Sequence, residues 1–164
     1  MKKVSLYFLA VLFAGVFASC SDDEDEVLPI TMEQATSKAM AATSGTVIAS
    51  TTTTTAAGVT YFEIDVKTSS GAIIEFEYYQ EDGSLKGIEG DQGPFDYEVD
   101  PGMGLIKFSA AKDAALNAQP GEVLRWSLKE EFPDVWIYTF EVLASNGEEF
   151  EVGVNAQTGA AEVK

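Results

Sequence analysis

Residues 121–159 read GEVLRWSLKEEFPDVWIYTFEVLASNGEEFEVGVNAQTG. Leu124, Trp126 and Leu128 alternate with Arg125, Ser127 and Lys129. After a turn at Phe132-Pro133-Asp134, the residues Trp136, Tyr138, Phe140 and Val142 alternate with Ile137, Thr139 and Glu141. Asn146-Gly147 is a two-residue hairpin signal, and Phe150, Val152 and Val154 give a third strand its inner face. Gly159 marks a further turn before a short last strand over residues 160–163. The stretch predicts an antiparallel meander with one apolar face.

Immediately upstream, Phe108, Ala111, Ala115 and Leu116 fall at helical spacing. The same plan recurs earlier at a fixed offset of 76 residues. Gly45, Gly71 and Gly83 match Gly121, Gly147 and Gly159, and Ala35 and Ala39 match Ala111 and Ala115. Val47 matches Val123, and Val66 matches Val142. Over residues 30–88 against 106–164 there are 12 identities in 59 positions, clustered at turns and apolar sites. The register of the glycines predicts sharp turns, and the paired alanines predict helix faces that pack closely. In the earlier segment, Thr31 with Gln34 forms a capping box, and Met32, Ala35, Ala39 and Met40 line the helix. Phe62, Ile64 and Val66 then pair across Ser70-Gly71 with Ile74, Phe76 and Tyr78, and Asp82-Gly83 turns the chain again.

The predicted fold class is therefore α+β, as two tandem copies of a helix packed on a three- to four-stranded antiparallel β-meander. Residues 30–88 form the first copy and 106–164 the second. Residues 89–105 form a linker or long surface loop, because the surrounding segment 87–104 holds five glycines, two prolines and five carboxylates. Copies of this size are near the lower limit for folding alone, so the two are expected to pack together through helices or sheet edges.

The N-terminus reads as an export signal. Lys2 and Lys3 precede an apolar run at residues 6–18, whose 13 positions are too few to span a bilayer. Phe17-Ala18-Ser19-Cys20 resembles a bacterial lipobox, with phenylalanine where leucine is usual. That resemblance implies cleavage after residue 19 and a lipid on Cys20. Residues 20–29 form an acidic tether. Within it, Ser21-Asp22-Asp23-Glu24-Asp25-Glu26 resembles the export signal of surface lipoproteins in one phylum of Gram-negative bacteria. The expected location is the outer membrane, surface-exposed or else facing the periplasm.

Composition excludes several classes of function. The chain has 10 basic and 27 acidic residues, a net charge of -17; without Lys2 and Lys3 the balance is 8 against 27, or -19. Such a surface repels phosphate backbones, so no nucleic-acid partner is expected. With no histidine and one cysteine, there is no Ser-His-Asp triad, Cys-His dyad, disulfide or zinc site of the usual ligands. No catalytic residue, metal or cofactor is expected.

The second copy resembles the PepSY domain. The resemblance rests on Ala111 and Ala115, on Pro120-Gly121-Glu122-Val123, and on Tyr138-Thr139-Phe140-Glu141-Val142. It closes on Val152-Gly153-Val154-Asn155-Ala156-Gln157-Thr158-Gly159, with Asn155 where the family has aspartate. The first copy has Tyr79-Gln80-Glu81-Asp82 at that place. The layout also resembles that of β-lactamase inhibitor proteins. The resemblance implies a non-catalytic module that binds and restrains a secreted or envelope peptidase or hydrolase. The alternative is a structural or accessory surface lipoprotein without inhibitory action. The chain is expected to act as a monomer, with the membrane met through the lipid anchor.

Candidate contact residues follow from alternation. Trp126, Trp136 and Tyr138 share the apolar face and fit a core, but Trp136 stands beside a turn and is the one placed to protrude as an anchor. Tyr61 and Tyr79 fall on the face opposite Phe62 and Tyr78. The threonine run at residues 51–55, with Thr52 and Thr54, is either a thinly packed edge strand or a polar ladder that contacts a partner. Glu75 with Glu77, and Glu149 with Glu151, alternate outward as a solvated face; paired carboxylates also serve glycoside cleavage. Glu89, Asp91, Asp96, Glu98 and Asp100 could offer oxygens to calcium, although their spacing is not that of an EF-hand.

Overall fold

The computed structural model describes residues 28–164. The signal segment, Cys20 and the tether up to residue 27 lie outside the described residues. The chain is α+β. It runs α1 (Met32–Ala42), β1 (Thr46–Thr54), β2 (Thr60–Lys67), β3 (Ile73–Tyr79) and β4 (Leu85–Gln92). It continues as α2 (Phe108–Ala118), β5 (Glu122–Phe132), β6 (Val135–Leu143), β7 (Glu149–Asn155) and β8 (Ala161–Val163). The eight strands form a single antiparallel sheet in chain order.

Local chemistry sets the helix ends. The Thr31 hydroxyl accepts the Gln34 N–H at 3.3 Å, and the Gln34 side chain accepts the Thr31 N–H at 2.8 Å. This is the capping box expected from the sequence. Ala35, Ala39, Ala111 and Ala115 are wholly buried, so both helices lie close against the sheet. α1 packs on β1 and β2, and α2 on β6, β7 and β8. Met40, expected on the packed face, is exposed instead.

The core is continuous from Phe62 and Ile64 through Phe76, Ile88 and Leu128 to Phe140 and Val152. Its two halves join at β4 and β5, where Ile88 faces Leu128 and Gly90 faces Trp126. The opposite sheet face carries no helix among the described residues.

Two expectations about the strands change. The register slips between Val47 and Ala49 and again between Val123 and Arg125. These β-bulges make Ile48 and Leu124 the extra residues, so Val47 and Val123 point to the core instead. Strict alternation had placed Leu124 beside Trp126. Likewise, Gly45 and Gly121 are not left-handed turn residues. A Cβ at Gly45 would sit 2.6 Å from the Lys67 carbonyl oxygen, and one at Gly121 would sit 2.6 Å from Val142 Cγ1. These glycines let the strand that follows each helix approach its neighbour.

Residues 89–105 do not behave as a plain linker. Residues 89–92 continue β4. Val99 is fully buried and bridges Thr43, and its carbonyl accepts the Phe108 N–H at 3.0 Å. The Asp100 N–H donates to the Ala42 carbonyl at 2.8 Å. Tyr97 stacks on Phe108 with centroids 5.1 Å apart, and its hydroxyl accepts the Trp126 indole N–H at 2.8 Å. Glycines and carboxylates dominate this segment, and they conceal four side chains that pack in or against the core, Phe95, Tyr97, Val99 and Leu105.

Candidate partner-binding face

The open face is built from the residues that alternate away from the helices. The β2–β3 turn fixes the cross-strand pairs there. Thr68 N–H donates to the Ala72 carbonyl at 2.9 Å, and Gly71 N–H to the Thr68 carbonyl at 3.1 Å. With that turn closed, Tyr61 faces Tyr79, Glu63 faces Glu77 and Asp65 faces Glu75. On the next strand, Glu75 faces Glu89 and Glu77 faces Gly87. Five carboxylates thus share one face of three strands.

Their environments differ. Glu77 is buried at 6% exposure, and Lys86 donates to its Oε1 at 2.7 Å. A Cβ at position 87 would lie 3.1 Å from the Glu77 carboxylate, so Gly87 leaves room for it. Lys86 is the extra residue of a bulge between the Glu77 and Tyr78 pairings, and its Nζ lies 4.1 Å from the centre of the Tyr61 ring. Thr53 donates to Glu63 Oε2 at 2.9 Å. Lys129 pairs with Glu89, and Arg125 with Glu141. Burial pushes the Glu75 carboxyl up to about 7, helped by the charges of Glu77, Glu63, Asp65 and Glu89. Burial, then Glu63, also raises Asp65. Oxygens of Glu63, Glu75 and Glu77 lie within 4.8 Å of one another. The sequence had paired Glu75 with Glu77 along one strand; the cross-strand member Glu63 follows only once the Ser70-Gly71 turn sets the register.

The contact residues expected from the sequence do not gather in one place. Tyr61 and Tyr79 are half-buried on the open face. Thr52 pairs with Phe62 and Thr54 with Thr60, so both threonines lie on the helix-side face of the edge strand β1. Their neighbours Thr51 and Thr53 are the ones that face the carboxylates. Trp136, expected to protrude, is instead buried at 9% exposure on the helix-covered face. Its alternation with Tyr138 and Phe140 holds it there, and the adjacent turn exposes Phe132 in its place, at 66%.

The calcium-like run is dispersed into separate local roles. Glu98 accepts the Ser109 N–H at 3.1 Å and the Ser109 hydroxyl at 2.6 Å, and so caps α2, whose own cap residue Lys107 makes no capping hydrogen bond. Asp100 accepts the Gly102 N–H at 3.0 Å and pairs with Lys107 at 3.1 Å. Of the separate outward pair on β7, Glu149 and Glu151, the latter pairs with Lys164 at 2.9 Å.

The PepSY family, described as peptidase propeptide and YPEB domain, matches at residues 29–102 and again at 106–162. The chain belongs to the PepSY family. No curated protein sequence matches it. A crystal structure described as a "putative lipoprotein" from Clostridium difficile 630 is 13% identical, with a TM-score of 0.38; the match covers 87% of this chain and 95% of that one.

The closing PepSY motif has a structural task here. Asn155 Oδ1 accepts the N–H groups of Gln157 and Thr158 at 3.0 and 2.9 Å, and the Thr158 hydroxyl at 3.0 Å. Gly159 then turns the chain at φ +74° and donates to the Asn155 carbonyl at 2.8 Å. The amide oxygen of asparagine serves as the turn's acceptor where the PepSY pattern has a carboxylate. Among the described residues, no helix is long and apolar enough to cross a membrane.

Proposed function

We propose that this PepSY protein is a non-catalytic binding module of the cell envelope, which holds a secreted or envelope peptidase or hydrolase in a restrained state. The observation that carries the reading is the PepSY match on both halves of a chain whose sheet leaves one whole face uncovered. An eight-stranded face without helices offers a broad, rigid platform, and rigid platforms bind with little ordering cost. Features 76 residues apart support an origin as two tandem copies. The helix bounds, the bulges and the Ile30-to-Gln80 and Ile106-to-Ala156 hydrogen bonds all keep that offset. In this reading the protein acts as a monomer. Cys20 carries the lipid, and the acidic tether displays the platform at the outer membrane of a Gram-negative cell.

The test is an activity assay. The full chain, added at about one equivalent to each peptidase or hydrolase secreted by the same organism, should slow at least one of them, with tight-binding stoichiometry. No slowing across that set overturns the restraining role and leaves the accessory, structural reading.

A further inference from the structure

The open face is unevenly charged. On β6 and β7, Glu141 and Glu151 are each paired with a cation. On β2 to β4 the carboxylates outnumber the cations: Lys86 and Lys129 are taken by Glu77 and Glu89, and Lys67, next to Asp65 along the same face of β2, makes no ion pair among the described residues. Glu63, Asp65 and Glu75 have no cationic partner among the described residues. Like charges directly opposite one another destabilise a sheet, yet here Glu63–Glu77, Asp65–Glu75 and Glu75–Glu89 are all opposed. Such local conflict fits a site completed by something else. Lys86 already illustrates the chemistry, since its ammonium sits between the Glu77 carboxylate and the Tyr61 ring.

Resting on the partner-binding reading above, we propose that the bound protein docks on the open face of β1–β4 through a basic loop, whose arginine or lysine side chain seats among Glu63, Asp65 and Glu75. Thr51 and Thr53 border this seat on β1, and the Tyr61–Tyr79 pair flanks it. Charge complementarity selects the occupant: a planar guanidinium can bridge carboxylates on adjacent strands, as the Lys86 ammonium already bridges the Glu77 carboxylate and the Tyr61 ring. A divalent ion fits less well, because Glu77, one of the three clustered acids, already holds Lys86 at 2.7 Å.

Docking of this kind is linked to protons. The charged groups facing Glu75 are Glu77 on its own strand, Glu63 and Asp65 on β2, Glu89 on β4, and Lys129 on β5 beyond it. The helices lie on the other face and contribute none. Glu75 titrates at about 7 in the free protein. A seated cation favours its ionised form, so docking near neutral pH releases a proton, and affinity rises as pH increases through that value.

The probe is a synthetic Gly/Ser peptide of about ten residues carrying two arginines, titrated into the isotopically labelled full chain and followed by NMR. Saturable shifts are expected at Tyr61, Glu63, Asp65 and Glu75, with tighter binding at about pH 8 than at about pH 5.5. The double variant Asp65→Asn, Glu75→Gln should weaken binding about fivefold or more, and a glutamine-for-arginine peptide should give no saturation. Shifts spread equally over the carboxylates of β6 and β7, or no saturable shift at all, would overturn the proposal. So would a double variant that binds unchanged, or stoichiometric calcium binding that displaces the peptide. The double variant also separates the two readings. If it still restrains a hydrolase that the parent restrains, this seat is wrong and the function stands. If the peptide binds as expected but no hydrolase is slowed, the function alone fails.

Discussion

Glu75 is where folding and binding pull in opposite directions. Its carboxyl is raised to about 7 chiefly by burial, with four neighbouring carboxylates adding to the effect. In the unfolded chain it titrates near 4.5, so between those values the folded state holds the extra proton. Stability from this group is therefore intact below about 4.5 and falls as pH rises towards 7, with the full penalty above that. Glu75 is only partly buried, and solvent screening limits the penalty to the order of 1 kcal/mol. Glu75→Gln removes the charge while keeping the shape. Urea unfolding should show the variant more stable than the parent by about that amount at about pH 8, and no more stable at about pH 4. An equal gain at both pH values would show that packing, not charge, sets the conflict.

At the level of elements, α2 depends on an acceptor outside itself. Lys107 provides no side-chain cap, and Glu98, eleven residues before Ser109, does so instead. Glu98→Ala should cost about 1 kcal/mol in chemical denaturation, because it removes a charged acceptor from the helix N-terminus. Glu98→Gln, which keeps an acceptor, should cost less. The α1 cap could be read directly from Thr31 and Gln34, since both partners lie within one turn. The α2 cap could not, because its acceptor sits in a segment whose composition reads as a loop. The same division holds elsewhere. Hairpins at Ser70-Gly71 and Asn146-Gly147 were legible because a short turn fixes register locally. The bulges at Ile48 and Leu124 were not, since an extra residue looks like ordinary alternation until its partner strand is placed. Tyr97 and Val99 were missed because their burial depends on α1, α2 and β5 at once. The Glu63–Glu75–Glu77 cluster was half visible: alternation turns each acid outward, but only strand pairing brings Glu63 to the other two.

At the scale of the whole molecule, the seam between β4 and β5 decides whether the halves behave as one body. Four facing pairs join them, and Ile88 lies at the centre with no exposed surface, between Phe76 on one side and Leu128 on the other. Gly90 sharpens the fit: a Cβ there would stand 2.7 Å from the Tyr97 hydroxyl, the group that holds the Trp126 indole. The seam thus combines strand pairing, a shared apolar core and an aromatic contact from the crossing segment. Each half alone is small for a stable domain, so loss of one should expose the apolar edge of the other. One cooperative unfolding transition is expected. Both tryptophans, Trp126 and Trp136, belong to the second half, so their fluorescence reports that half alone, whereas far-ultraviolet circular dichroism reports both. The two probes should give coincident urea curves. Ile88→Ala, made in the first half, should destabilise the protein by about 2–5 kcal/mol and move the tryptophan curve as far as the dichroism curve. A tryptophan transition left in place by that substitution would mean that the seam couples the halves too weakly to make them one folding unit.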